Sequence, residues 1–419
     1  MPQAVLDGTR QRPVPLRRSR NFMLLWAGQS VGELGTQLSS IAVPLLAVVE
    51  LRATTLEVAV LTALGWLPYL LFSLPAGVLA DRVDQRRLMV ACDLARTGLM
   101  LSIPVVAAFG RLSFWFLCAV VSVTGVLTVL FSVAYRSQLP RMVSSEQLVE
   151  ANGKFGVSQS LAELVGPALG GALVAAVGAA RSVLGNAMTY FVSAVTLLLM
   201  DRPAKPVQKA EPVPFRAAVG EGLAFVFRHP ILRPLLVCTS VSNFFAMAMN
   251  SVEILFLVRD LDASSTVVGL VFAAGSVGGL ITGTLADRLA KRVGSARIIW
   301  VAMAAPGPLY LLMPLAQPGW GILLYAVGMT AFSANVVLFN ATATSYRQAI
   351  CPGRLLGRVN ASFVWVCYGV IPLGALFGGA LATGIGLRAA LTVCVLGMWS
   401  ACLFVIFSPL RRLRDTVRD

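Results

Sequence analysis

The chain has 419 residues, 57% of them hydrophobic and only 13% charged, with a mean hydropathy of +0.79. Water-soluble domains run nearer a quarter charged, so soluble, disordered, coiled-coil and disulfide-scaffold classes are excluded and an integral membrane protein remains. The +15 charge, from 34 Lys and Arg against 19 Asp and Glu, does not signal nucleic acid: its basic residues sit in short clusters between apolar runs and form no continuous face.

One span needs about 20 apolar residues, and twelve hydrophobic segments follow one another, at about 22–49, 57–80, 88–109, 113–134, 155–178, 182–200, 234–258, 266–286, 296–316, 319–344, 359–383 and 388–408. All read as helices, because lipid requires backbone polar groups to be satisfied within each segment and the runs are too long for barrel strands. Segment 1 carries Gln29, Glu33, Gln37 and Ser40 on one polar stripe, with Glu33 close to the midplane. An ionisable group at that depth costs several kcal/mol unless paired or solvated, so each one is a functional candidate. After segment 2 comes Gly77-Val-Leu-Ala-Asp81-Arg82, then Arg86 and Arg87. Asp81 and Asp84 have a metal–diphosphate spacing, but they lie among arginines with no second acidic cluster. Segment 3 places Asp93 and Arg96 one turn apart, able to neutralise each other; structural pairing and coupling both stand open.

Segment 4 offers Thr124, Thr128 and Ser132. Segment 5 sets Glu163 at mid-depth on a face with Asn152, Gly156, Gln159, Gly166 and Gly170, making it a second carboxyl able to exchange a proton with a cavity. Its run Gly166-Pro167-Ala-Leu-Gly170-Gly171 permits close packing and a kink. Residues 201–230 are Pro-rich and charged and read as a linker, with a short amphipathic helix over 215–227. In segment 7, Asn243 and Asn250 share a face, as do Ser333 and Asn340 in segment 10. Glu253 falls near the outer end of segment 7, where it is expected to reach water, either as an outer gate or as a carboxylate that merely snorkels. Trp26, Trp66, Tyr69, Phe245, Trp365 and Tyr368 are candidate cavity walls or interface anchors. The seven Cys have no metal spacing and His229 reads as incidental.

The two halves repeat. Gly77–Arg82 matches Gly283–Arg288 at an offset of 206, Tyr135-Arg136 matches Tyr346-Arg347 at 211, and Asn152 with Gly170-Gly171 matches Asn360 with Gly378-Gly379 at 208. With an inner amino terminus, 28 Lys and Arg fall on the inner side and five on the outer, so both termini are expected in the cytoplasm of a cell-membrane protein. The expected division is an N-terminal tail (1–21), a six-helix bundle (22–200), a central linker (201–230), a second bundle (231–408) and a C-terminal tail (409–419). Such parallel repeats hold a substrate site between them near the midplane.

On these features the chain resembles the major facilitator superfamily over its whole length: six plus six helices, a central loop, and G-x-L-A-D-R-x-x-x-R-R after segment 2. Two stretches, Phe22-Met-Leu-Leu-Trp26-Ala-Gly-Gln29 and Asp81–Arg87 followed by Asp93-Leu-Ala-Arg96, are similar to the bacterial exporter branch related to enterobactin and macrolide efflux proteins. The resemblance implies an all-α fold of two pseudo-symmetric bundles. It also implies a cytoplasmic latch built on Gly77, Asp81, Arg82, Arg86 and Arg87, echoed by Asp287 and Arg288, with Arg136 and Arg347 as pairing partners. Gly166, Pro167, Gly170 and Gly171 resemble an exporter motif, with Ala162 where a preceding glycine is expected. Segment 4 lacks the mid-membrane arginine of drug–proton antiporters in the superfamily.

The resulting expectation is a monomeric exporter of small amphipathic compounds, driven by the proton gradient and needing no cofactor or metal. Its expected coupling and cavity groups are Glu33, Glu163, Asp93, Arg96, Gln29, Gln37, Gln159, Asn243, Asn250 and Asn340. Import, or lysophospholipid movement, on the same fold is the alternative. An enzyme is disfavoured, since no nucleophile–base pair, metal cluster or phosphate loop appears.

Overall fold

The computed structural model describes the backbone of residues 16–144, 147–201 and 215–413. Within these, side chains are described except at 73–75, 77–82, 140, 141, 149, 215–219, 287, 353, 354, 357 and 361. The chain is all helical: α1 (Arg20–Leu45), α2 (Thr55–Arg82), α3 (Gln85–Ala108), α4 (Phe114–Met142), α5 (Leu148–Val177), α6 (Ala179–Leu198), α7 (Phe215–Arg228), α8 (Leu232–Leu255) and α9 (Ser265–Val293). Then come α10 in three pieces (Arg297–Ala304, Gly307–Tyr310, Leu312–Leu315), α11 (Ile322–Ile350), α12 (Gly353–Gly369 and Ile371–Ile385) and α13 (Leu387–Ser400 and Cys402–Ile406). Segment 9 was expected as one helix; Pro306, Pro308 and Pro314 remove backbone donors and divide it. The amphipathic α7 forms where expected, and its Glu221 pairs with Arg358 on α12.

Among the described residues, eleven helices are long and apolar enough to cross a bilayer. The one expected span that falls short of that apolarity is α6, 20 residues long, whose Ser182, Asn186, Thr189 and Ser193 are buried. They are buried against protein: α6 packs between α1 and α3. Asn186 Nδ2 donates to Ser39 Oγ at 2.5 Å, and the Thr189 hydroxyl donates to the Asn186 carbonyl at 2.8 Å. The close approach depends on two glycines of α1. A Cβ on Gly35 would lie 1.8 Å from Thr189 Oγ1, and one on Gly28 would lie 2.1 Å from Thr196 Oγ1.

The repeat extends to fine backbone detail. Both α1 and α8 end in a five-residue π turn, Leu46–Glu50 and Phe256–Asp260, each followed by a non-glycine residue at φ 51°, Arg52 and Asp262. Side-chain oxygens then cap the next helix at its start, from Thr54 to the Glu57 amide and from Ser264 to the Val267 amide.

The halves meet through α5 against α9 and α2 against α12. At the end away from the basic loops α5 and α9 touch backbone to backbone, and α12 meets α2 at an alanine methyl. A Cβ on Gly171 would lie 2.3 Å from the Ser265 carbonyl, one on Gly269 2.5 Å from the Pro167 carbonyl, and one on Gly379 2.2 Å from the Ala59 methyl. Arg259 adds a hydrogen bond across the halves to the Ala53 carbonyl, 2.6 Å. That end is shut.

Candidate functional site

Behind this seal a cavity of about 1250 Å³ lies between the halves. It is walled by α1, α2, α4 and α5 on one side and α8, α9 and α11 on the other, and it extends to Gly153 and Thr284 near the basic end. Its size suits an organic molecule rather than a small ion.

The sequence-derived candidates divide sharply. Gln37, Ser40, Glu163, Asn243, Asn250 and Ser333 line the cavity. Glu33 and Gln29 are not among the lining residues; Glu33 is joined to the wall through Gln37, whose amide donates to its carboxylate at 3.5 Å. Gln159 is exposed and donates to Glu163 at 2.9 Å, while the Ser276 hydroxyl of α9 donates to the Glu163 backbone carbonyl at 2.7 Å. The two Glu–Gln pairs therefore stand on adjacent helices that meet at Gln37 and Gly166, where an added Cβ would lie 2.4 Å away.

Asn340 is exposed and absent from the cavity wall. Asp93 and Arg96 are also off the wall. They pair in a buried site, 0% and 4% exposed, with the guanidinium stacked between Phe131 (4.5 Å) and Tyr190 (4.3 Å). Arg96 Nη1 reaches Thr128 of α4 at 3.4 Å, and Thr128 does line the cavity. A cation on α3, paired with its own carboxylate, thus stands behind α4.

The largest correction concerns Glu253. The expectation that it reaches water fails: it is 1% exposed, held by Asn250 Nδ2 (2.6 Å) and the Tyr325 hydroxyl (3.5 Å), and it lies at the cavity wall. Sequence reasoning missed it because Tyr325, on α11, is 72 positions away and nothing local announces the pairing.

Four of the six aromatic candidates, Trp26, Phe245, Trp365 and Tyr368, do not line the cavity. Trp26 Nε1 donates to Ser158 Oγ at 3.0 Å in the α1–α5 contact, Phe245 packs on Phe244 and Phe377, and Trp365 is exposed. Trp66 and Tyr69 do line the cavity and cluster with Tyr368 from the other half, with ring centroids 5.5 to 6.4 Å apart.

At the basic end the side chains of Gly77, Asp81, Arg82 and Asp287 lie outside the described residues, as do 1–15, 202–214 and 414–419. Arg87, Arg136 and Arg288 are exposed, and Arg347 stacks on Phe363 of its own half at 4.4 Å. Arg86, expected in the latch, instead donates to the Leu197 and Leu198 carbonyls at 2.7 and 2.5 Å, closing the C-terminus of α6. Asp84 accepts from the Arg87 amide as the cap of α3, which accounts for its place in the D-x-x-D run. The described residues hold no group of metal-ligating side chains.

The motif on α5 resolves into two contacts. Gly166 and Gly170 face α1 of their own half, whereas Gly171 and the Pro167 carbonyl face α9 of the other. On α12, Gly374 and Gly378 face α8 and Gly379 faces α2, the same division at the same spacing.

The sequence profile of the transmembrane secretion effector family, within the major facilitator superfamily, matches residues 13–418. The chain belongs to this family. As a transmembrane secretion effector it is a multi-pass membrane transporter and not an enzyme. It is 27% identical to the multidrug efflux pump Tap of Mycolicibacterium fortuitum, over 95% of this chain and 97% of that protein. It is 23% identical to macrolide efflux protein A of Streptococcus pyogenes, over 89% and 94%. Its fold is similar to that of the nucleoside transporter NupG, with a TM-score of 0.79 at 10% identity over 92% of this chain and 99% of that one.

Proposed function

We propose that this transmembrane secretion effector exports small amphipathic organic compounds across the cell membrane by proton antiport, as a monomer with its basic end and both termini in the cytoplasm. The observation carrying the reading is the cavity of about 1250 Å³, sealed at one end by repeated glycine contacts and bearing carboxylates in its wall. Rocking the halves, 22–200 against 231–408 about the 201–230 linker, would part the α5–α9 and α2–α12 seals. It would bring the basic ends together, where Asp81–Arg136 and Asp287–Arg347 are the proposed latch pairs. Distant kinship with drug and macrolide efflux pumps supports export over import or lysophospholipid movement. Glu33 and Glu163, each held by a glutamine on facing helices, are the proposed coupling groups.

The test is uptake into proteoliposomes under an imposed pH gradient, over a panel of amphipathic compounds, comparing the natural chain with Glu33→Gln and Glu163→Gln. Gradient-dependent accumulation that collapses in either variant is the expected result. Transport indifferent to the gradient and to both substitutions would eliminate proton coupling.

A further inference from the structure

The shut end is built on the same backbone device in both halves, and the halves equip it differently. Each π turn is closed by the amide of an alanine, Ala53 donating to the Ala47 carbonyl at 2.8 Å and Ala263 to the Leu257 carbonyl at 2.9 Å. The turns correspond at an offset of 210, the separation of Leu46 from Phe256, which pairs Ala53 with Ala263 and Val49 with Arg259. In the second half Arg259 reaches out of its turn, and its Nη2 donates to the Ala53 carbonyl of the first half at 2.6 Å. In the first half the matching residue, Val49, is half exposed and has no side-chain donor to offer Ala263. Among the described residues, Arg259 is the only charged side chain that bonds from one half to the other.

The glycine contacts of the seal are van der Waals contacts, individually small and without direction. The other polar crossing, from the Ser276 hydroxyl to the Glu163 carbonyl at 2.7 Å, lies deeper, at the cavity wall. Arg259 is exposed at the rim, so water can replace both sides of its bond once the bundles separate. A charge-assisted bond placed there favours the shut arrangement, yet breaking it strands no buried charge and raises no large barrier. The turn that carries it is firmly held. Phe256, three residues earlier, stacks on Tyr325 at 6.0 Å and lies under the Arg388 guanidinium at 5.2 Å. Arg388 is itself tied to the Pro314 and Ala316 carbonyls at 2.6 and 2.8 Å. Arg259 therefore starts from a fixed base, and less freedom is lost each time its bond forms.

We infer that Arg259 is the latch of the shut end. Its bond to the Ala53 carbonyl sets the share of time the chamber spends closed on that face, and the matching place in the repeat, at Val49, carries no latch. One such bond at an exposed rim biases the open–shut equilibrium by about three- to tenfold. A second would deepen the shut state without adding any contact in the open one. This inference rests on the proposed rocking of the halves and is independent of proton coupling and of substrate class.

A thiol reporter behind the seal tests it. Thr62 lines the cavity one turn beyond the Ala59–Gly379 contact, and the seven natural cysteines are buried, so Thr62→Cys offers a site to a membrane-impermeant maleimide. The full chain is labelled in intact cells and in inside-out membrane vesicles, with the chain lacking Thr62→Cys as background. Arg259→Gln should raise the rate from the face away from the basic loops about three- to tenfold, without raising the rate from the basic face. Arg259→Lys, which keeps a charged donor, should lie between. Val49→Arg added to Arg259→Gln should slow labelling again, because the repeat offers it the Ala263 carbonyl. Equal rates from the sealed face with and without Arg259, or a rise matched on both faces, would overturn the latch and leave the rocking of the halves standing. A rate that stays high in Val49→Arg/Arg259→Gln would overturn the assignment of Val49 as the vacant counterpart. Absence of labelling from the sealed face in every chain would remove the rocking reading, and the latch with it.

Discussion

The two halves bury ionisable groups in opposite ways. In the first, Asp93 and Arg96 lie one helical turn apart on α3 and neutralise each other between aromatic rings. In the second, Glu253 is just as buried but has only an amide and a phenol for company. An ion pair contained within one helix travels with it and keeps its partner through any rocking of the halves. A carboxylate whose second partner sits on another helix of the same half depends for that hydrogen bond on how the two helices pack, not on its own helix alone.

The largest expected effect comes from breaking the contained pair. Arg96→Leu strands the Asp93 carboxylate in an apolar site and should cost about 3–5 kcal/mol, read as a large loss of thermal stability in detergent, with Asp93→Asn added in cis restoring most of it. Next is Arg86→Ala, which releases two backbone carbonyls at the α6 terminus and should cost about 1–2 kcal/mol. Its melting temperature should fall by clearly less than that of Arg96→Leu. Smaller again is Glu253→Gln, which removes a buried charge while keeping its shape, so stability should change by less than about 1 kcal/mol. A loss as large as that of Arg96→Leu would end the distinction between the halves.

The smallest effect lies at the other end of α8, outside the membrane spans. His229 Nδ1 accepts from the Ile231 and Leu232 amides at 3.2 and 3.3 Å, and burial pushes its pKa below the ordinary value of 6.5. Only the neutral ring can accept, so its contribution is complete above the unfolded pKa and lost as pH falls through the lower folded one. Melting curves of the natural chain should shift down between about pH 7 and 5 by slightly more than those of His229→Asn, whose amide caps without titrating.

Most of the fold was legible because lipid enforces a simple rule: apolar runs of span length, basic residues between them, and landmarks repeated at 206–211 positions. The helix it made hardest to defend, α6, is the one whose polar residues answer to α1 rather than to lipid. The site was only half legible. Gln37, Glu163, Asn243 and Asn250 announced themselves by period and polarity, since helical spacing puts them on one face. Glu253 and the true surroundings of Trp26 and Phe245 depend on which helix stands opposite, and spacing along one helix carries no information about that. Arg86 shows the same blindness from the other side: a motif arginine spends its donors on carbonyls 111 and 112 positions away.

The seal at Gly171, Gly269 and Gly379 is made of main-chain atoms and one alanine methyl, that of Ala59. Under the proposed rocking of the halves, no rotamer would have to be found again when it re-forms, so reclosure would be indifferent to whatever residues decorate the chamber behind it. Mutation can then redraw which compounds are accepted without retuning the clockwork, and a lineage built this way can broaden its repertoire while its moving parts stay untouched.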